Sequence, residues 1–149
     1  MLFRSGTGAN ATVGHGLGAA PSMIFFYIRG RAPGGAPYHG VYHTSVGNTK
    51  ILDLYSTAAQ YGASINYFNN TSPTSSVFSI GVDASTNDGN PMVAYCWAAI
   101  PGYSAFGGYT GNGSTDGPFV YTGFRPRWIM IKRTDTTRSE EHTSELQSH

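Results

Sequence analysis

The sequence predicts an all-β domain, an antiparallel β-sandwich of the jelly-roll type, and three observations support this prediction. Short apolar or alternating runs recur at regular spacing along the chain. Glycine, proline, asparagine and aspartate separate these runs, and such residues favour tight turns. No stretch shows a convincing helical repeat. We therefore expect a core made between strands rather than between helices.

Five stretches are predicted to be strands. Residues 23–28 and 93–100 are apolar on both faces, which is typical of strands in the interior of a sheet. Residues 41–43 form a short strand, and residues 50–55 alternate between two faces. Residues 77–82 also alternate, which indicates a half-buried strand. The strand order does not follow from the sequence.

Part of the sequence occurs twice. The passage that opens the chain aligns without gaps with a later passage at a separation of 105 residues. The alignment pairs Gly6 with Gly111, Gly8 with Gly113, Gly18 with Gly123, Pro21 with Pro126 and Ile24 with Ile129. We expect residues 1–105 to form a complete β-sandwich repeat unit and residues 106–137 to form the truncated start of a second tandem copy.

The last twelve residues differ in composition from everything before them. The three glutamates of the chain, Glu140, Glu141 and Glu145, all lie in residues 138–149. This stretch resembles the translation of a short-read sequencing adapter, which makes it an artefact that we expect to be disordered. A natural polar tail is the alternative. We therefore expect residues 138–149 to contribute neither to the fold nor to the function.

Charge and cysteine content narrow the function classes. Without the tail, eight lysines and arginines face five aspartates, a net charge of +3 with no basic run, so nucleic-acid binding is not expected. Cys96 is the single cysteine, which rules out an intrachain disulfide and a zinc pattern. No apolar run is long enough to insert into a membrane. The abundance of Gly, Ser, Thr, Asn and Tyr is typical of an extracellular or particle-bound β-protein.

The residue types of a hydrolase are present, but their arrangement does not favour catalysis. His43, Ser45 and Asp53 supply a base, a nucleophile and an acid within a short span. The alternative is that His43 simply packs within its predicted strand. Paired carboxylates for glycoside cleavage would have to come from aspartates alone, because residues 1–137 contain no glutamate. We expect no catalytic residues and no enzymatic activity.

Two loops resemble ligand sites and have simpler interpretations. The oxygen-rich stretch 83–90 spaces its side-chain oxygens much as a calcium-binding loop does. However, its glycine falls one position late, and no glutamate is present to supply the bidentate ligand that completes such a loop. An Asx-rich turn is therefore the alternative. Gly14, Gly16 and Gly18 resemble a phosphate loop, but Pro21 and a β-prone run follow where a helix is required. No metal and no cofactor are expected.

Loop tyrosines give a stronger positive signal. Tyrosines next to Asn, Ser and Thr suit sugar rings and protein surfaces, because aromatic faces bury area at low rotamer cost. Packing along the rim of a sandwich is the alternative for each of them. The candidate binding residues are Tyr103, Tyr109, Asn112 and Tyr121.

Several motifs resemble one family. They are Val41-Tyr-His-Thr-Ser-Val-Gly-Asn-Thr-Lys50, Asn69-Asn-Thr-Ser-Pro-Thr-Ser-Ser-Val-Phe78, Val93-Ala-Tyr-Cys-Trp97 and, above all, the run from Pro101 to Pro126 that contains Gly111-Asn-Gly-Ser-Thr-Asp-Gly-Pro-Phe-Val-Tyr-Thr-Gly123. Together they are similar to an uncharacterised repeat domain of phage tail and other virion proteins, many of them marine. The similarity covers residues 3–135, apart from the loop 29–38, where the family has a more polar segment with a tryptophan.

The resemblance implies a tail-fibre-like place in the virion and brings no catalytic residues. The implied partners are other virion proteins, further copies of the chain in an oligomeric fibre, and glycans of the host surface. A secreted or cell-surface carbohydrate-binding adhesin is the first alternative, and a fragment of a polysaccharide-degrading tail enzyme is the second.

Overall fold

A computed structural model describes residues 2–29 and 39–135, with the backbone alone for residues 2–5. In this part of the chain the regular structure is almost entirely strand. The elements are β1 (Leu2–Ser5), β2 (Ala11–Gly14), β3 (Met23–Ile28), β4 (Val41–His43), β5 (Val77–Ile80), α1 (Ala84–Asn87) and β6 (Pro91–Trp97). The prediction of an all-β fold is therefore confirmed.

The strands form two antiparallel sheets. One has the order β1-β6-β3-β4, and β2 pairs with β5 in the other. Both β3 and β6 have a neighbour on each side, as their apolar sequences predicted. Their register places Phe25 opposite Tyr95 and Ile24 opposite Cys96. This register decides which side chains share a face, because successive residues of a strand point to opposite faces.

One hydrophobic core joins the two sheets. Its buried residues include Ile24 and Phe26 of β3, Tyr42 of β4, and Phe78 and Ile80 of β5. The rings of Phe26 and Phe78 meet edge to face with centroids 5.6 Å apart. Burying one such large apolar side chain contributes roughly 1.5–3 kcal/mol. The inward face of β3 thus supplies the centre of the core.

Three segments differ from the sequence prediction. Residues 50–55 are not a strand, since only Leu52 bridges to Val41, and Ile51, Leu52 and Asp53 are all buried in a loop. Strands β1 and β2 lie in a glycine-rich stretch that the pattern did not assign to strands. The turn at 83–90 contains the one-turn helix α1, which the Asp83 side chain caps by accepting a hydrogen bond from Ser85 N at 2.8 Å.

Residues 106–135 carry no regular strand, although the alignment of Ile24 with Ile129 predicts the first strand of a second unit at 128–131. Lys132 Nζ donates to the carbonyl oxygens of Ser56 at 2.8 Å and Ala58 at 2.7 Å. Gln60 N donates to Thr134 O at 3.1 Å. This segment therefore lies on the loop that follows Asp53. The divergent loop at 30–38 and the proposed artefact at 138–149 are outside the described residues.

Candidate aromatic binding face

Alternation along the two interior strands places large rings on the outward face of the four-stranded sheet. Ile24 and Phe26 point into the core, so Phe25 and Tyr27 point outward. Tyr95 and Trp97 of β6 lie on this same outward side, since Trp97 contacts both Phe25 and Tyr95. We call Phe25, Tyr27, Tyr95, Trp97 and the adjoining His39 the aromatic face.

The rings of the aromatic face are in mutual contact. Phe25 and Trp97 meet edge to face with centroids 4.7 Å apart, and Tyr95 and Trp97 lie 6.1 Å apart with their planes inclined by 25°. Tyr27 stacks on His39 at 4.7 Å with an interplanar angle of 8°. These distances fall in the range in which aromatic pairs stabilise one another, so the rings hold each other in position.

His39 extends the face toward the loop after Leu52. Its ring meets Tyr55 edge to face at 6.0 Å. His39 Nδ1 is buried and has no hydrogen-bond partner in the structure. Packing against Tyr27 and Tyr55 therefore helps to position this histidine.

A second hydrophobic cluster covers one end of the aromatic face. Met23, Val41 and Leu52 are buried there, with Phe25 and Phe106 packed against them. Beyond this cluster the rings are open to solvent: Tyr27 is 48% exposed, Tyr95 40% and Trp97 38%. The open part of the face thus consists of three rings carried on two rigid strands.

The face is electrically neutral. Outward positions of β3, β4 and β6 hold Met23, Phe25, Tyr27, Val41, His43, Val93, Tyr95 and Trp97. None of these is a carboxylate, a lysine or an arginine. Burial lowers the pKa of His43 below its usual value, which favours the neutral imidazole at pH 7. The strand positions of the face therefore offer no charged partner to a ligand.

A polar cluster lies beside the face, around the buried carboxylate of Asp53. Asp53 Oδ1 accepts from Ser56 N at 3.1 Å and from Ser56 Oγ at 2.7 Å, and Oδ2 accepts from Tyr61 Oη at 2.7 Å. The hydrogen bond to Asp53, with smaller contributions from burial and the neighbouring Tyr55, raises the pKa of Tyr61 above its ordinary value. This cluster fixes the loop that carries Tyr55.

The predicted binding residues are not brought together. Tyr103 is 77% exposed, Tyr109 50% and Tyr121 82%, and no ring contact joins them to another aromatic residue of the described chain. Asn112 Oδ1 accepts from Ser114 N at 3.0 Å, which closes its turn. These four residues lie separately along the loop 101–121, and their binding role stays a prediction.

Two of the three residues of the hydrolase hypothesis, His43 and Asp53, have other hydrogen-bond partners. His43 Nδ1 accepts from the backbone N of Ser45 at 3.2 Å, whereas Asp53 bonds to Ser56 and Tyr61. None of the described hydrogen bonds joins these three side chains into a relay.

The oxygen-rich turn at 83–90 is held by internal hydrogen bonds. Asn87 is 1% exposed, its Oδ1 accepts from Thr7 N at 2.9 Å, and its Nδ2 donates to Ala9 O and Gly81 O, both at 2.7 Å. Asn87 therefore cross-links the chain. Over residues 2–29 and 39–135, no group of three His, Cys, Asp or Glu side chains is placed to hold a metal ion.

Two further features offer little chemistry. Burial raises the pKa of the Cys96 thiol to about 11, so the thiol stays protonated at neutral pH. A small apolar cavity of about 30 Å³ lies in the core beside Phe26, Phe78 and Met92, which is room for about one water molecule.

No described helix has both the length and the apolar character needed to span a bilayer.

Sequence reasoning missed Tyr27, Tyr95 and Trp97 as surface residues. Both interior strands were interpreted as buried on two faces because every outward residue is apolar or aromatic. The type of residue could have revealed them, since rings with a polar tip alternate with small side chains in Ala94-Tyr95-Cys96-Trp97.

The fold and the face define an all-β domain that displays neutral aromatic rings from the centre of one sheet. The domain family of unknown function DUF7483 matches residues 3–142, nearly the whole length, and the chain belongs to this family. The match runs without interruption across the boundary predicted at 105/106. No curated protein and no solved structure matches the chain.

Proposed function

We propose that this chain is a non-enzymatic structural and adhesive module of a phage particle, with a tail-fibre-like place in the virion. The observation that carries the proposal is the segment 128–131, which the 105-residue alignment pairs with the start of β3. Strand β3 lies at the centre of a sheet, whereas Trp128 is 70% and Ile131 65% exposed. Such a segment is what the opening of a further unit in a tandem array would leave uncovered.

The proposal includes a β-sandwich in each unit. The shared core of the two sheets, with Phe26 of one sheet against Phe78 of the other, supports this architecture. The pairing of β1 with β6 also supports a closed unit, because the first and last strands of residues 2–97 are neighbours.

Adhesion would rest on neutral contacts repeated many times. The exposed rings of the aromatic face and the tyrosines of the loop 101–121 are the groups proposed to make such contacts. Each site alone would bind weakly. Tandem copies in an oligomeric fibre would convert weak contacts into firm attachment through effective concentration.

Host adsorption tests the adhesive part of the proposal. Variants Tyr109→Ala and Tyr121→Ala are expected to weaken adsorption to host cells while circular dichroism shows unchanged folding. The control is Phe119→Ala, which removes a ring that is 91% exposed from the same loop. If neither the loop tyrosines nor the aromatic face affects adsorption, but shortening the array abolishes it, the module is a spacer and the adhesive part is wrong.

The uninterrupted gene tests the assignment to a virion. Long-read sequencing across the codon of Thr137 is expected to reveal further copies of the 111–133 pattern among capsid and tail genes. A gene located in a cellular surface operon would favour the second candidate, a secreted or cell-surface adhesin, which the exposed neutral rings fit equally well. Release of oligosaccharides from host polysaccharide by the purified protein would contradict the non-enzymatic part.

A further inference from the structure

We propose that the aromatic face binds a neutral hexopyranose chain with β-1,4 linkages. This inference rests on the proposed adhesive function and names its ligand and its site. The site residues are Tyr27, Tyr95 and Trp97, and His39 stacks on one face of the Tyr27 ring.

The geometry of the rings fits a flat, extended chain. Tyr95 and Trp97 follow one another along β6, and Tyr27 is the diagonal neighbour of Tyr95 across the pair Phe25 and Tyr95. The rings of Tyr95 and Trp97 are stacked, with centroids 6.1 Å apart and planes inclined by 25°, so they form one continuous aromatic ridge along β6. A β-1,4-linked pyranose chain is an extended ribbon that presents the C–H face of each ring in turn, and an aromatic face packs well against such a surface.

The area of the open face argues against a protein partner. Aromatic side chains bury 150–250 Å² each, so the exposed fractions of these three rings leave roughly 250 Å² uncovered. A stable protein interface needs about 800 Å² on each partner. Because the cluster of Met23, Val41 and Leu52 already covers one end, the open face is the size of a short oligosaccharide.

The charge of the face argues against nucleic acids and acidic polysaccharides. Those ligands are bound through several lysine or arginine contacts, whereas the outward positions of β3, β4 and β6 hold none and Arg29, directly after β3, is a single cation. Neutral sugars need only ring faces and hydrogen-bonding tips. Tyrosine hydroxyl groups and an indole N–H supply such tips at the edge of the face.

The chain provides two matched fluorescent reporters, because its tryptophans are Trp97 on the face and Trp128, which makes no described ring contact with the face. Trp128→Phe leaves Trp97 as the reporter, and Trp97→Phe leaves Trp128 as the control. Titration of Trp128→Phe with cellohexaose, mannohexaose or chitohexaose is expected to give a saturable blue shift with at least one of the three. The Trp128 reporter is expected to stay unchanged with all of them.

Substitutions locate the binding. Tyr95→Thr and Trp97→Thr keep β-propensity and are expected to weaken probe binding, measured by calorimetry, at least about tenfold. Phe119→Thr is expected to leave it unchanged. Urea unfolding of each variant separates loss of the site from loss of the fold, and a folded Tyr95→Thr, Trp97→Thr double variant that binds as well as the parent would overturn the proposal.

The outcomes separate this inference from the adhesive function. A chain that attaches to cells but gives no Trp97 shift with any of the three probes refutes the aromatic face as a glycan site and leaves adhesion standing. A chain that binds a probe but attaches to no cell supports the site and contradicts adhesion. Dimerisation that the same two substitutions abolish would show that a second copy of the chain is the occupant, and would overturn the proposal.

Discussion

The side chain of Asn87 bonds to three backbone groups from a position that is almost completely buried. Its amide bonds to the turn at Thr7 and Ala9 and to Gly81 after β5, so one side chain links the N-terminal turn to both sheets. Buried polar groups of this kind contribute little net free energy while intact, yet their removal leaves partners without hydrogen bonds.

Replacing this amide should therefore be costly. Asn87→Ala is expected to lower the free energy of unfolding by about 3 kcal/mol, because three buried or half-buried partners lose their bonds. Urea denaturation of the purified protein measures the change. The exposed Asn112→Ala variant should change it by less than about 0.5 kcal/mol. Equal stability of the two variants would show that the Asn87 bonds are replaced.

Tyr61 gives stability a defined dependence on alkaline pH. The hydrogen bond to Asp53 raises the pKa of Tyr61 in the folded state. The contribution of Tyr61 to the free energy of unfolding is therefore complete below the pKa of tyrosine in the unfolded chain, near 10, and declines as the pH rises above that value. Between about pH 9 and about pH 11 the parent chain should lose more stability than Tyr61→Phe, which cannot ionise there. Parallel declines of the two urea midpoints would contradict the prediction.

Strand β3 is the element on which both faces depend. Its inward Phe26 is 3% exposed and contacts Phe68 and Phe78, whereas its outward Tyr27 is half exposed. Phe26→Ala should cost about 3–5 kcal/mol through the cavity it leaves. Tyr27→Thr should cost less than about 1 kcal/mol. Thermal or urea unfolding of the two variants distinguishes the faces, and a reversed order would mean that the faces are wrongly assigned.

Sequence patterns located the elements that are locally encoded. Strands β3, β4 and β6 follow from apolar runs, and β5 follows from alternation. Strands β1 and β2 escaped prediction because they gain stability from partners 63 or more residues away, not from their own glycine-rich sequence. The loop after Val41 looked like a strand because Leu52 and Leu54 alternate, but the hydrogen bonds of Asp53 bend it inward.

The candidate site, too, was predictable from the sequence only where local residues encode it. Exposed tyrosines in loops are easy to recognise from their polar neighbours, so the sequence predicts Tyr103, Tyr109 and Tyr121 as candidate binding residues. The aromatic face depends on the register of β3 against β6, which pairs residues about 70 positions apart. No local pattern encodes that register, and only the assembled sheet shows that the rings form one surface.

At the scale of the whole molecule, Lys132 fastens the segment 106–135 onto the loop after Asp53. Lys132→Ala removes two hydrogen bonds to Ser56 and Ala58, and should increase proteolysis and amide exchange within 128–135. The midpoint of global unfolding should hardly change, because the core lies elsewhere. Arg127→Ala, which removes a cation that makes neither bond, is the control. Unchanged exchange in Lys132→Ala would mean that other contacts hold the segment.

The pairing of β1 with β6 sets how this domain would respond to a pulling force. Leu2 lies opposite Ala94 and Ser5 opposite Pro91, so the chain enters β1 and leaves β6 at the same end of the pair. Tension applied to these two points loads the hydrogen bonds one after another, as in opening a zipper, rather than all at once in shear. A fibre built from such units would extend under modest load, unit by unit, and would absorb the drag on an attached particle before its contacts with a surface break.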